Sequence, residues 1–506
     1  MVNNDAAIMR RFRSGLGISL FSLATFAPLN AHAQSGSFTL TSPMMTARSQ
    51  HTATLLPNGQ VLIAGGVQST SSGTRLLAST ELYDPTTGRF TPAASMTTTR
   101  RGHAATLLPD GRVLITGGYG GSDSGWGTAL STAELYDPSS DRFTKTGDLL
   151  AATGFHTAVL LATGQVLIVG GSGAGTYPNN IAMAELYDPT TGTFTSAGTY
   201  VGRDECDFCA PAVLLADGTV LFPGQYPAQL YDPDTNQFRL TGLMIDDHST
   251  ATLLLTGKVL FAGGESDFGR SASAELYDPA TGAFSATGSM TARRVWHTLT
   301  LLPSGLVLST GGETDTCGGT ACSFAGTVSS AELYDPVAGV FHAISDMAVA
   351  HEGHTATLLA DGRVLIAGGV TYGGIGLFGG SASVAEIYRP DVLLPAPTLL
   401  GMSDDNHAHG AIYHARTTYI AGSEDPAAAG DEIDILCTGV RSGSVILPQV
   451  AIGGRLADIV SVGVTPGVPG TQTVRVRVPT GIHAGSVRVR LTYLGRSSNA
   501  VTMAVK

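Results

Sequence analysis

HTATLLPNGQVLIAGG, residues 51–66, followed after a variable loop by ELYDPTTGRF, residues 81–90, is one unit of a repeat that occupies most of this chain. The glycine pair returns at Gly117-Gly118, Gly170-Gly171, Gly263-Gly264, Gly311-Gly312 and Gly368-Gly369, and imperfectly as Pro223-Gly224. The pentapeptide returns from Glu134, Glu185, Glu275 and Glu332, with the variants QLYDP from Gln229 and EIYRP from Glu386. Seven units about 50 residues apart have the period of four-stranded propeller blades. Seven blades close into a ring with a central channel and loops on both faces.

Inside the unit, Thr52 and Thr54 alternate with Ala53 and Leu55, as in a half-buried strand. Val61 to Ala64 is a short apolar run suited to a strand covered on both faces. Asn58-Gly59 between them is a tight hairpin turn. Asp84-Pro85 with Thr86-Thr87-Gly88 turns the third strand into a fourth that starts near Phe90. The glycine pair after the second strand, the Tyr-Asp-Pro of the third and the aromatic opening the fourth resemble the kelch motif. Phe38, Phe90, Phe143, Phe194, Phe238, Phe284 and Phe341 stand where kelch repeats usually carry Trp. The resemblance covers residues 36–390 and implies a seven-bladed kelch β-propeller. The last unit ends at Tyr388-Arg389-Pro390 without a Gly-x-Phe strand, whereas Gly36-Ser37-Phe38 matches Gly88-Arg89-Phe90. The N-terminal strand is therefore expected to complete the last blade and remove the free sheet edges.

Residues 1–33 read as a secretory signal peptide: Arg10, Arg11 and Arg13, an uncharged apolar stretch from Leu16 to Leu29, then Ala31-His32-Ala33. The propeller is expected over residues 34–392. PDVLLPAP, residues 390–397, reads as a linker, and the repeat stops there. VRVRV at 474–478 and VRVRL at 487–491 alternate as strands with one wet face. Short strands and Gly/Pro turns over 397–506 suit a β-sandwich. GDEIDILCTGV, VAIGGRLADIV and LTYLGRSSNAVTMAV resemble an Ig-like C-terminal domain of exported bacterial proteins, a family that brings no catalytic residues. The expected architecture is all-β, a propeller followed by an Ig-like sandwich, in a secreted, periplasmic or cell-surface protein. Residues 34–396 carry 16 Lys and Arg against 31 Asp and Glu, which argues against nucleic acid and anionic membranes. The apolar runs after residue 33 are too short and interrupted for a membrane span.

Cys317 and Cys322 share one loop and suit a local disulfide in an exported protein. Cys206 and Cys209 form a C-x-x-C that reads as a disulfide or as part of a metal site. Cys437, in EIDILC, reads as a buried free thiol. His51, His103, His156, His297 and His354 recur at the start of the first strand, with Ala210 and Ser249 at that place in blades 4 and 5. A residue written into most copies of a repeat serves the repeat, so each His is expected to hydrogen-bond a neighbouring blade's backbone.

A propeller with an Ig-like domain also resembles the galactose oxidase family of copper radical oxidases. That resemblance implies a Tyr-His pair on an inner strand, a second Tyr with a cross-linked Cys, and a further His. Gln50, Gly102, Phe155, Trp296 and Gly353 precede the ring histidines, and Tyr413-His414 lies outside the propeller. The copper set is not matched. What departs from the repeat is a set of connectors. Asp204, Glu205, Asp207, Asp246 and Asp247 are acidic in blades 4 and 5, facing Arg48, Arg100 and Arg294 in blades 1, 2 and 6. This reads as a polarised mouth for a cation such as Ca²⁺ and a polar ligand, or as an ordinary solvated loop surface. Trp126 and Trp296 fall near the same face and either stack on sugar rings or pad the loops. The function expected is an exported binding module for a protein or glycan ligand, the alternative a carbohydrate-active extracellular enzyme.

Overall fold

The computed structural model describes residues 35–506 apart from 72, 122–126, 174–182, 201–210, 224–226, 267–268, 319–320, 373–378, 403–408 and 442–443. The expected leader at residues 1–33, Trp126, Asp204, Glu205, Cys206, Asp207 and Cys209 lie outside the described residues. The described residues form strands and turns and contain no helix. They divide into two compact units, Gln34–Leu394 and Pro395–Lys506.

The first unit is a seven-bladed propeller of four-stranded antiparallel sheets. Blade 1 comprises Thr52–Leu55, Val61–Ala64, Thr80–Asp84 and Arg89–Ala93, and blades 2 to 6 repeat it in sequence order. Blade 7 takes three strands, Thr355–Leu358, Val364–Ala367 and Ala385–Arg389, from the end of the repeat and Ser37–Leu40 from its beginning. In that closure Phe38 lies opposite Tyr388, as Phe90 lies opposite Tyr83 in blade 1. The first strands of successive blades neighbour one another in a closed cycle around the axis.

Each blade buries the tyrosine of its pentapeptide completely, from Tyr83 to Tyr388. The aromatic of the outer strand packs on it, with ring centroids 4.8 Å apart for Tyr83–Phe90 and 5.0 Å for Phe38–Tyr388. The all-apolar second strands are sandwiched between blades. Val61 and Ile63 pack on Leu365 and Ala367 of blade 7, while Leu62 and Ala64 pack on Val113 and Ile115 of blade 2. This explains why Val61–Ala64 shows no alternation: both faces of the strand are interior.

The ring histidines join blade to blade. His103 Nε2 meets the Thr52 hydroxyl at 3.0 Å, His156 meets Thr116 at 2.8 Å and His297 meets Thr250 at 3.0 Å. His51 reaches Thr355 at 3.2 Å across the closure. The partner is a threonine side chain of the preceding blade rather than its backbone. Beside it, the second glycine of each pair donates to the connector of the next blade, Gly66 N to Arg100 O at 2.7 Å and Gly118 N to Thr153 O at 2.8 Å.

The second unit is a nine-stranded antiparallel sheet that curls into a half-barrel, consistent with a sandwich-like domain. The expected strands appear as Gln472–Arg477 and Gly485–Tyr493. Val474 and Val476 face the core with Ile433, Ile435 and Cys437, while Arg475 makes a bidentate pair with Asp434 on the outer face at 2.7 and 2.8 Å. Burial pushes the Cys437 thiol up to about 12, so it is an inert core residue.

Phe38 is half-buried, and Phe38→Ala is expected to cost about 3 kcal/mol, read as a lower urea midpoint at unchanged slope. The ring histidines give a pH signature. Burial pushes His51 and His103 down to about 3 and His156 to about 4, against about 6.5 in an unfolded chain. Stability is therefore full above pH 6.5 and falls as pH drops through the range to about 3, because the unfolded state takes up protons first. Melting temperatures from pH 8 to 4 check this, and His156→Gln should make the fall shallower.

Candidate functional site

The rim at the start of the inner strands is built on a buried framework of charge. Arg48, Arg100 and Arg294 are fully buried. They pair with the pentapeptide glutamates of their own blades: Arg48–Glu81 at 2.7 Å, Arg100–Glu134 at 3.0 Å and Arg294–Glu332 at 2.7 Å. Each arginine also donates to the carbonyl of the first paired glycine, Arg294 Nη1 to Gly311 O at 2.9 Å. Each glutamate accepts from the connector backbone, as Glu332 does from Thr291 N at 2.7 Å. In blade 5 His248 takes the arginine's role, with Nδ1 on Gly263 O at 2.8 Å and Nε2 on Glu275 at 2.9 Å. Arg294 thus lies beneath the rim, away from any ligand surface. The expected basic side of the mouth is corrected: its three arginines are interior and compensated.

Of the expected acidic side, the described residues include Asp246, half-buried, and Asp247, exposed. Asp247 bridges Glu265 through the backbone. Cys317 and Cys322 lie opposite each other across the hairpin of Glu313–Gly318 and Ala321–Thr327. Trp296 is half-buried on the rim, immediately before His297, with φ of +56°.

Two positions of the repeat form the rim: the pair of residues before each ring histidine, and the residue after the glycine pair. They bridge each other in each fully described blade, as Arg101 with Tyr119, Val295 with Glu313, and Glu352 with Val370. In blades 1 to 3 they gather an aromatic and polar cluster. Buried Arg101 donates to Gln50 Oε1 at 2.7 Å and lies 5.1 Å from the Tyr119 ring and 5.6 Å from Phe155. In blades 5 to 7 they gather a carboxyl cluster. Arg270 contacts Glu265 and Glu313 and lies 5.7 Å from the Trp296 ring. Burial, with Glu313 adding to it, pushes the Glu352 carboxyl up to about 9, so Glu352 holds its proton at neutral pH. Sequence reasoning missed Arg101, Tyr119, Glu313 and Glu352, although all four occupy fixed places in the repeat.

Comparison with known proteins agrees with this architecture. The Kelch motif model matches residues 48–97 and 100–150. A galactose oxidase of Gibberella zeae is 25% identical over 366 residues, covering 65% of this chain and 49% of that protein. The chain thus spans about half the length of the curated relatives it matches. Among solved structures, one titled a novel fungal alcohol oxidase with catalytic diversity among the AA5 family, in complex with copper, superposes with a TM-score of 0.60. It is 18% identical, with 93% of this chain and all of that one covered, a likeness of fold. The chain is a kelch-repeat β-propeller.

The residues present do not fit a copper site of the kind that resemblance implies. The ring histidines turn Nε2 to threonine hydroxyls of the preceding blade, and the residue before each is Gln, Gly, Phe, Trp or Gly. The described free cysteine, Cys437, is in the other unit's core. Among the described residues no group of three or more His, Cys, Asp or Glu is arranged to hold a metal.

Arg294→Ala strands Glu332 in a dry interior and should cost about 3–5 kcal/mol. Equilibrium unfolding measures the loss. A stable variant with altered ligand binding would contradict the structural role.

Proposed function

We propose that this protein is an exported binding module that takes a glycan at the channel mouth. The observation that carries the reading is the division of labour within the repeat. The buried framework recurs around the ring, with Gly-Gly and the pentapeptide Glu in six blades, the ring His in five and Arg in three, while the rim positions above it diverge into aromatic and polar side chains. On the rim Phe155 of blade 3 is exposed and Trp296 of blade 6 half-buried, and exposed Gln50 of blade 1 is held by Arg101. Rings for the C–H faces of a sugar and a few fixed polar groups for its hydroxyls make a binding surface of the required kind. The leader at residues 1–33 supports export, and the absence of any helix long and apolar enough to cross a membrane among the described residues is compatible with it. A protein ligand on the same face, and Ca²⁺ at the connectors of Asp246 and Asp247, belong to the same proposal.

A second reading, an enzyme acting on extracellular carbohydrate, is favoured by one observation. A proton-holding Glu352 beside Glu313 in a concave rim is the kind of perturbed carboxyl pair found at catalytic sites.

Screening the secreted protein against a glycan array tests the proposal. Trp296→Gly suits the comparison, because Gly102 and Gly353 occupy that place in other blades with φ of +56° and +55°. The variant should fold normally and lose about tenfold or more in glycan affinity. No bound glycan, or affinity unchanged in Trp296→Gly, would overturn the glycan reading. Turnover of a bound glycan would favour the enzyme.

A further inference from the structure

At the rim of blades 5 to 7, four carboxyl groups gather around Arg270. Arg270 contacts Glu265 and Glu313, and its backbone N–H donates to Asp315 Oδ2 at 2.7 Å. Its guanidinium lies over the Trp296 ring. Glu352 is the fourth acid. It is 4% exposed, and its Oε2 has no hydrogen-bond partner among the described residues. The groups that bear on its carboxyl are Glu313, Arg270 and Tyr372. A buried carboxyl oxygen without a partner is costly, so this oxygen is a place left for something else. One guanidinium does not match the charge of Glu265, Glu313 and Asp315 together.

We propose that this cluster is a recognition site for an organic cation, a guanidinium or primary ammonium group, which binds against Trp296 and the buried Glu352 carboxyl. The inference rests on the mouth being the ligand-binding face. Aromatic rings combined with carboxyl groups select organic cations, because the ring quadrupole and the carboxylate both attract a weakly hydrated charge. Arg270 already shows the cluster accepting such a group. A hard divalent ion needs several converging oxygens, and the described residues offer no such arrangement. The acidic excess of residues 34–396 favours cations over anions as ligands of the propeller. On binding, the ligand's N–H groups donate to Glu352 and Glu313, and the Glu352 proton leaves to the solvent.

Calorimetry of the full chain with methylguanidinium, in two buffers of different ionisation enthalpy, tests this. At pH 7.5 about one proton should be released per cation bound. Affinity should rise about tenfold or more from pH 7.5 to 9.5, because Glu352 titrates near 9 while the guanidinium stays charged. Methylurea, the neutral isostere, should not bind. Glu352→Gln should abolish proton release and weaken binding about tenfold. If that variant fails to fold, the pH dependence of the wild type decides alone. Glucosamine against acetyl-lysine amide separates an amino sugar from a protein side chain as the natural source. Binding without proton release, equal binding of methylurea, or displacement by millimolar Ca²⁺ would overturn the proposal. Such a failure while Trp296→Gly still loses glycan binding would leave the mouth as the ligand face.

Discussion

A close contact between a histidine ring and a glycine, repeated around the propeller, is what the rest of the structure depends on. A Cβ placed on Gly65 would stand 2.6 Å from Arg100 O and 2.9 Å from His103 Cε1. The same approach recurs at Gly263 toward Arg294 O and His297, and at Gly368 toward Arg48 O and His51 across the closure. Only a residue without a side chain lets the next blade's connector come this near. The second glycine then donates its N–H to the same connector carbonyl. The glycine pair therefore joins one blade to the next as well as ending its second strand, and the connector so fixed carries the Arg–Glu pair below and the rim residues above.

This arrangement sets where function can reside. Residues of the framework are buried and spoken for: the imidazoles are held neutral by burial and bonded to threonines, and the arginines are matched to glutamates. Residues of the rim occupy equally fixed backbone positions but are free to differ. Arg101 with its aromatic neighbours and Arg270 with its carboxyl neighbours are two such differences, on opposite parts of the same ring of seven blades. A rigid scaffold that presents variable residues at defined places is how a propeller gains specificity without altering its core.

Much of this was legible in the sequence. The seven blades, the hairpin at Asn58-Gly59, the alternation of Val474 to Val478 and closure by Phe38 follow from periodicities that the backbone obeys. Depth was not legible. Arg294 stands in a connector beside a second arginine, Arg293, and sequence position gives no sign that its side chain turns inward to Glu332 while Val295 and Trp296 stay on the rim. Glu313 and Glu352 are separated by 39 positions and read as isolated surface acids. Their meeting depends on blades 6 and 7 placing the post-glycine and pre-histidine positions side by side. His248, one residue before Ser249 in blade 5, does the arginine's work, because its ring spans the same gap between Gly263 O and Glu275.

The central claim is that close approach at the glycine pair holds blade to blade. It is tested most directly by comparing Gly65→Ala with Gly59→Ala in equilibrium unfolding. Both glycines have positive φ, +61° and +86°, so backbone strain of about 1 kcal/mol is common to both. Gly59 has nothing within 4 Å of a new Cβ, whereas Gly65 faces the Arg100 carbonyl and the His103 ring. The account predicts that Gly65→Ala is less stable than Gly59→Ala by about 1–3 kcal/mol. Equal stabilities for the two variants would contradict it.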